Sequence, residues 1–561
     1  MFSRRAFIET ASLAGISSAV FPEVLMGCAA RAEEITLDTI KAAEALAGLS
    51  FTDAERELML EGLQGLVKDY QAIRAHELPN AVPPSIMFDP RMSGEPVATL
   101  PARVPVSWEP VDATRPASDE DLAFLSVPEL AGLLRSRQVT STELTRLYLA
   151  RLKQYDPVLK CVVSLTEERA MRQAAAADAE LKAGHWRGPL HGIPWGAKDL
   201  LAVEGYPTTW GATLYKDQTF DVDAEVVKRL DGAGAVLVAK LTLGALASGD
   251  VWFGGRTNGP WNIERGSSGS SAGPGAAVAA GLVGFAIGSE TWGSIVSPST
   301  RNGVTGLRPT FGRVSRSGAM ALSWSMDKLG PMCRSAAGCA LVFDAINGHD
   351  PGEPFTTTTA FEWPASRSAN AIRIGYLKDA FENEQDQAVL DVFTGAGMEL
   401  TPVTLPEIDA SPVAIMLRVE AAAAFDTLTL SDRDDLLVRQ DEGAWPNTFR
   451  KARMVPAVEY VNASRVRTLI MREMATLFQG IDVLIQPSFG RALLMTNLTG
   501  HPSVTVPNGF LPVDDQPADS PRRNPASITF LGGLYRDDLT LAVADFYQQQ
   551  TDFHRRRPSI Q

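Results

Sequence analysis

The sequence predicts an α/β protein with helices on both faces of a central sheet and a helical extension before it. Helical and strand patterns alternate along the chain. The predicted elements are a helix at 221–230, a strand at 235–239, a helix at 276–280, and strands at 284–288, 372–376 and 483–485. Each strand is short and apolar, which is typical of strands that are covered on both faces.

The N-terminal extension precedes this alternation. Residues 36–76 carry leucines near a 3.6-residue spacing and are predicted to be helical. Six prolines between residues 79 and 101 then predict an irregular connector. We therefore place an N-terminal helical extension and connector at 33–105 and the main domain at 106–561. The extension is expected to cover the main domain or to mediate a homodimer.

Two helices are predicted at the start of the main domain. Ser126 is followed three residues later by Glu129, and Thr140 by Glu143. Both pairs match the capping box, in which the first side chain accepts a free backbone N–H and the glutamate bonds back to the chain.

Residues 1–32 resemble a twin-arginine export signal, because SRRAFI at 3–8 precedes an apolar stretch at 11–21. Cleavage after ARA at 30–32 would release a periplasmic or extracellular protein. Cleavage before Cys28, in the lipobox-like LMGC, would instead give a lipid-anchored protein. No other stretch is long and apolar enough to predict a membrane span.

The composition excludes several classes of partner. The formal net charge of −14 argues against nucleic acid as a main partner. The four cysteines lack metal-ligand spacing. Cys333 and Cys339 could pair in an exported protein, but we expect buried free thiols.

Two runs of small residues and a lysine carry the predicted chemistry. They read GSSGSSAG at 266–273, with Ser270 and Ser271; GSETWGSI at 288–295, with Ser294; and HGIPWGAKD at 191–199, with Lys198. A buried lysine loses its proton easily and can act as a base. A second serine can relay a proton from a nucleophilic serine to that base, so no metal or cofactor is needed.

These segments resemble the amidase signature family of serine amidases. Further similar segments are GVTGLRPT at 303–310, DKLGP at 327–331 and NLTGHP at 497–502, and the resemblance spans roughly residues 120–555. It implies a large mixed central sheet and hydrolysis of a small or medium carboxamide by water, with no cofactor and no metal.

The resemblance also implies the roles of individual residues. Ser294 is the expected nucleophile, Ser270 the relay serine next to a cis peptide bond, and Lys198 the general base. Ser271 is expected to support Lys198. Backbone N–H groups of Thr291, Trp292, Gly293 and Ser294 are expected to form the oxyanion hole.

The chain departs from the family pattern at three positions. Trp292 stands where glycine is common, Glu290 where aspartate is common, and Asn302 where cysteine is frequent. These changes affect the expected substrate range rather than the reaction class.

Alternative sites and functions remain open. GSSAG at 269–273 matches the G-x-S-x-G pattern, which would make Ser271 the nucleophile, and SMDK at 325–328 matches S-x-x-K. The chain could also be the A subunit of a tRNA-dependent amidotransferase, although an export signal argues against that cytosolic role. A catalytically silent binding protein of the cell envelope is the third hypothesis.

Overall fold

The computed structural model describes residues 35–76, 78–91, 108, 110–353, 356–514, 516–517 and 520–560. The predicted export signal and Cys28 lie outside these described residues. The chain divides into two compact units, one made of residues 1–82 and 454–459 and the other of 83–453 and 460–561.

In its described residues, the smaller unit contains the helices α1 (Leu37–Ala47) and α2 (Asp53–Arg74). Gly48 ends α1 in the left-handed conformation, with φ 66°. Thr52 and Glu55 then form a capping box that starts α2. Because the chain turns between them, the helical stretch predicted over 36–76 is two helices, joined by a 2.8 Å ion pair between Arg56 and Glu44.

The described connector residues 83–91 group with the larger unit. The ring of Phe88 lies 5.0 Å from the ring of Phe311 in an edge-to-face contact. The guanidinium of Arg467 lies over the Phe88 ring, 3.4 Å from its centre.

The larger unit is built on an 11-stranded mixed sheet. Its strands are β1 (Val162–Leu165), β2 (Pro194–Lys198), β3 (Val236–Leu241), β8 (Phe285–Glu290), β9 (Thr305–Arg308), β10 (Lys328–Cys333), β11 (Ile374–Leu377), β12 (Leu400–Val403), β13 (Val483–Pro487), β14 (Ser503–Pro512) and β15 (Arg523–Gly532). Their order across the sheet is β1-β3-β2-β8-β10-β9-β14-β15-β13-β11-β12. Two small hairpins lie beside it: β4 (Val251–Trp252) with β5 (Gly255–Arg256), and β6 (Asn258–Gly259) with β7 (Asn262–Gly266).

The helices of the larger unit lie before, between and after these strands in the sequence. They are α3 (Asp119–Ala123), α4 (Val127–Arg135), α5 (Ser141–Leu159), α6 (Glu167–Lys182), α7 (Glu225–Gly232), α8 (Ala272–Ala279), α9 (Val296–Asn302), α10 (Ala336–Ile346), α11 (Glu384–Gly395), α12 (Ile415–Ala424), α13 (Asp426–Leu430), α14 (Trp445–Ala452), α15 (Ala457–Gly480), α16 (Arg491–Thr499) and α17 (Asp537–Gln550).

Helices cover both faces of the sheet, which confirms the predicted fold class. Along β3, Val236 and Val238 pack into one core cluster, which also contains residues of α8. Leu237, between them, packs into a second cluster that contains residues of α10. Because successive strand residues point to opposite faces, α8 and α10 lie on opposite sides of the sheet.

The helix starts agree with the sequence in part. The capping box at Ser126 forms, with its N–H donating a 2.7 Å bond to Glu129. At Thr140 only half of the box forms, because the Glu143 carboxylate pairs with Arg115 at 2.5 Å. Helix α7 begins at Glu225, later than the predicted start at residue 221.

Within the described ranges, no helix is both long and apolar enough to cross a membrane. The cysteines at 161, 333 and 339 are buried free thiols, as expected.

Candidate active site

Lys198 is the last residue of β2 and lies inside a group of serine hydroxyls. Strand β8 runs parallel to β2 and is its direct neighbour, so the carboxyl ends of both strands meet at one edge of the sheet. The Lys198 Nζ donates hydrogen bonds to the hydroxyls of Ser270 at 2.7 Å, Ser289 at 2.8 Å and Ser271 at 3.0 Å. The lysine side chain is fully buried.

Burial lowers the pKa of Lys198 well below that of an ordinary lysine, because desolvation penalises the ammonium form. The carboxylates of Asp327 and Glu290 act in the opposite direction and offset part of this effect. The amine can therefore lose its proton far more easily than a lysine in water, and its hydrogen-bonding serines are placed to exchange protons with it.

Ser270 is held in the loop that leads into α8. The peptide bond between Gly269 and Ser270 is cis, as the family resemblance implied. A Cβ added at Gly269 would lie 1.8 Å from the carbonyl oxygen of Gly249, so only glycine fits at that position. This close approach fixes the backbone immediately before Ser270.

Ser294 lies opposite, in the loop between β8 and α9. Its carbonyl accepts bonds from the Ser271 hydroxyl at 2.6 Å and from the Ser271 N–H at 3.2 Å. The side chain of Ser294 is half-buried, and its hydroxyl makes no hydrogen bond with any residue that the structure describes. Ser271 thus ties the two serine-bearing loops together and leaves the Ser294 hydroxyl accessible.

The backbone before and at Ser294 presents free donors. The N–H groups of Thr291, Trp292, Gly293 and Ser294 donate to no acceptor in the described part of the chain. Gly293 has φ 83°, a left-handed conformation that favours glycine. A row of unpaired N–H groups next to a hydroxyl can stabilise a negative oxygen.

Glu290 fixes the start of this loop. Its carboxylate accepts bonds from the N–H groups of Ile295 at 2.8 Å and Val296 at 3.0 Å, and it forms a fully buried ion pair with Arg308 at 2.9 Å. Burial opposes ionisation of Glu290, but the Arg308 guanidinium and the hydrogen-bond donors outweigh it and lower the pKa of Glu290 to about 2.

Thr291 and Trp292 differ in their surroundings. The Thr291 hydroxyl donates a 2.5 Å hydrogen bond to the half-buried carboxylate of Asp327, which also accepts the N–H groups of Leu322 and Ser323. The Trp292 side chain is 44 % exposed at the surface. The indole at this departure from the family pattern is therefore available to contact a bound molecule.

The structure brings Lys198, Ser270 and Ser271 into direct contact and places the loop of Ser294 against Ser271. The hydroxyls of Ser270 and Ser294 are not joined by a hydrogen bond. Sequence reasoning missed Ser289 and assigned no role to Asp327, although both lie in segments that it singled out. Ser289 could have been found as a hydroxyl near the end of a predicted buried strand, and Asp327 as the acidic residue of the DKLGP segment.

In the part of the chain that the structure describes, the hydroxyls of the two alternative nucleophiles are held by hydrogen bonds, unlike that of Ser294. The Ser271 hydroxyl is buried and occupied by four hydrogen-bond partners. Ser325 bonds to the carboxylate of Glu420 at 2.7 Å, and the amine of Lys328 bonds to the Met326 carbonyl instead of Ser325. Among the described residues, no group of histidine, cysteine or acidic side chains is arranged to hold a metal ion.

The comparisons with known proteins agree with this geometry. The amidase family model matches residues 143–540. The A subunit of a glutamyl-tRNA(Gln) amidotransferase from Acinetobacter baumannii is 32% identical over 499 residues, which cover 78% of this chain and 99% of the relative.

Two solved structures are similar over most of the chain. A peptide amidase from Stenotrophomonas maltophilia has a TM-score of 0.66 and is 29% identical, covering 78% of this chain and 98% of its own. A vestigial protein complex that reveals the origins of an s-triazine catabolic enzyme has a TM-score of 0.69 and 26% identity, covering 76% and 98%. The fold, the family match and these relatives together establish that the chain belongs to the amidase signature family.

Proposed function

We propose that the protein is a serine amidase that hydrolyses the C–N bond of a small or medium carboxamide. The observation that carries the proposal is the fully buried Lys198 amine, which is hydrogen-bonded to Ser270 and has a strongly lowered pKa. A neutral lysine in contact with a serine hydroxyl is a proton acceptor in place for nucleophilic catalysis.

The proposed proton path runs from Ser294 through Ser270 to Lys198. Ser270 gives its proton to the neutral Lys198 amine and takes the proton of the Ser294 hydroxyl, while the Ser294 oxygen attacks the substrate carbonyl carbon. This path requires a hydrogen bond between the hydroxyls of Ser270 and Ser294 to form when substrate binds. Catalytic hydrogen bonds are often long or poorly aligned in an enzyme without substrate.

The oxyanion would lie against the free N–H groups at 291–294. As the tetrahedral intermediate collapses, the C–N bond breaks and the proton returns from Lys198 through Ser270 to the leaving nitrogen. The acyl group stays on Ser294 as an ester. Water then attacks that ester by the same proton path and releases the carboxylic acid.

A second candidate is hydrolysis of glutamine as the A subunit of an amidotransferase. It is favoured by relatives of that name, which are 31–32% identical to this chain. We rank it second because residues 1–32 resemble an export signal, and export to the periplasm or cell exterior is part of our proposal. The silent binding protein ranks lower still, because it does not need the buried contact between Lys198 and Ser270.

The test is labelling with a fluorophosphonate probe, followed by peptide mapping of the modified serine. We expect the label on Ser294, loss of label and of turnover in Ser294→Ala, and much slower labelling in Lys198→Ala. Turnover is measured on neutral anilides and on glutamine in parallel.

The outcomes separate the candidates. A label on Ser271 would contradict the proposed nucleophile. Turnover of glutamine alone, with co-purifying partner subunits, would favour the amidotransferase. Failure of folded protein to react with the probe or any amide would favour the binding protein.

A further inference from the structure

We infer that the substrate carries a carboxylate at a distance from its scissile amide, and that an arginine-lined cleft beside the serine loops binds it. This inference rests on the proposed amidase function and specifies its substrate class. The cleft has a volume of 380 Å³ and is lined by Arg256, Arg265 and Arg301, with Ser268 on its wall.

The three arginines lack anionic partners. None of them forms an ion pair with a carboxylate in the described part of the chain. Arg256 donates to Asn258 and to the carbonyls of Ile263 and Glu264, and Arg265 donates to Asn524. The side-chain hydrogen bonds of Arg256 and Arg265 go to neutral acceptors, so no carboxylate of the described residues pairs directly with their charges.

Arg301 is the least satisfied of the three. Its side chain is half-buried at the end of α9, and it forms no hydrogen bond or ion pair with any described residue. Burial, with the nearby charge of Arg265, lowers the pKa of Arg301, while Asp250 opposes this. A partly desolvated guanidinium without an acceptor is unfavourable, and a bound anion would supply the missing bonds.

Two carboxylates also line the cleft. Glu264 forms a 2.6 Å ion pair with Arg522, which is not one of the three arginines of the cleft. Asp250 accepts the N–H of Ser268 at 3.0 Å. With Glu264 paired to Arg522, three arginines face Asp250 alone, and the cleft keeps an excess of positive charge that favours an anionic group such as a carboxylate.

The cleft adjoins the catalytic loops. Ser268 is two residues before Ser270, and its hydroxyl bonds to that of Ser297 at 2.6 Å. Ser297 follows Ser294 by three residues and precedes Arg301 by one helical turn of α9. At a rise of 1.5 Å per residue, the backbones of Ser294 and Arg301 are about 10 Å apart. A flexible chain of several methylenes can span that distance.

The experiment compares matched amides with and without a terminal carboxylate. The first pair is suberic acid monoanilide and octanoic anilide, with the carboxylate on the acyl part. The second is N-acetyl-aminohexanoate and N-acetyl-hexylamine, with the carboxylate on the amine part. We expect kcat/KM to favour the acid in one pair by about 10- to 100-fold, the usual range for a charge-assisted contact.

The variants assign this preference to the cleft. Arg301→Gln is expected to remove most of the preference for the acid, and Arg301→Lys to retain part of it. The matched control is Arg172→Gln, an exposed arginine of α6 that pairs with Glu168, and it is expected to keep the preference. Equal turnover of acid and neutral amide in both pairs, or an unchanged preference in Arg301→Gln, would overturn the inference.

Binding is measured independently of turnover, by calorimetry of both acids, suberic acid monoanilide and N-acetyl-aminohexanoate, on Ser294→Ala protein with and without Arg301→Gln. Weaker binding of either acid in the double variant supports the cleft even if the reaction class were wrong. Equal binding of both acids by the two proteins overturns the inference and leaves the amidase proposal to its labelling test.

Discussion

Glu290 and Arg308 form a 2.9 Å ion pair that has no exposed surface at either side chain. The same carboxylate accepts the N–H groups of Ile295, which precedes α9, and of Val296, its first residue. Glu290 therefore connects strand β9 to the loop that carries Ser294. A charge at this position holds the geometry of the candidate oxyanion hole.

Replacing Glu290 with glutamine should destabilise the protein by about 3 to 5 kcal/mol, since Arg308 is then left buried without its counter-ion. The pKa of Glu290 is lowered from 4.5 to about 2 in the folded protein. A lowered carboxyl pKa stabilises the fold above pH 4.5, and this contribution is lost as the pH falls towards 2. Urea unfolding at several pH values measures both effects.

The double variant Glu290→Gln with Arg308→Met provides the control. It removes both charges, so it should recover part of the stability that Glu290→Gln loses. If the single variant were as stable as the unmodified protein, and equally sensitive to acid, the ion pair would not contribute to stability in this way.

Ser289 should matter to catalysis through Lys198. The Ser289 hydroxyl accepts one of the three serine bonds that orient the amine. Ser289→Ala removes that acceptor, and we expect kcat to fall by about tenfold, the cost of one hydrogen bond to a charged or reacting group. Steady-state kinetics on a neutral anilide measures this change.

Ser289→Thr keeps the hydroxyl and should retain most of kcat. Fluorophosphonate labelling of Ser294 should slow in Ser289→Ala in the same proportion, because it uses the same base. Full activity in Ser289→Ala would mean that Ser270 and Ser271 position Lys198 without it.

Much of this arrangement could be predicted from sequence because it depends on local patterns. The apolar strands at 284–288 and 483–485 extend in the structure to β8 (Phe285–Glu290) and β13 (Val483–Pro487). Apolar strands and loops of small residues can be recognised from residues that are adjacent in the sequence. The pairing of β2 with β8 then places Lys198 beside the serine loops.

The contacts that sequence reasoning missed depend on distant segments. Asp327 reaches Thr291 because β10 pairs antiparallel with β8, with Lys328 opposite Glu290. Arg301 lies in one cleft with Arg256 and Arg265 only because α9 and the segment of the two small hairpins come together in the folded chain. The spacing of residues along the chain indicates neither the contact of Asp327 with Thr291 nor the grouping of the three arginines.

The pH dependence tests the lysine base and the influence of Asp327 on it. With Lys198 as the base, kcat/KM should rise with pH as the amine loses its proton, and level off well below the pH at which an ordinary lysine titrates. The nearby carboxylates of Asp327 and Glu290 stabilise the ammonium form and raise the pKa of Lys198. Asp327→Asn should therefore move this rise to lower pH by roughly one unit.

Asparagine suits this test because its amide oxygen can accept the N–H groups of Leu322 and Ser323, while its NH₂ can donate to Thr291. The matched control is Asp391→Asn on the exposed surface of α11, which should leave the profile in place. A merely structural role for Asp327 would lower the rate at all pH values without shifting the profile. A shift to higher pH, or a rate independent of pH in the unmodified enzyme, would exclude Lys198 as the base, because removing a neighbouring negative charge can only favour its neutral form.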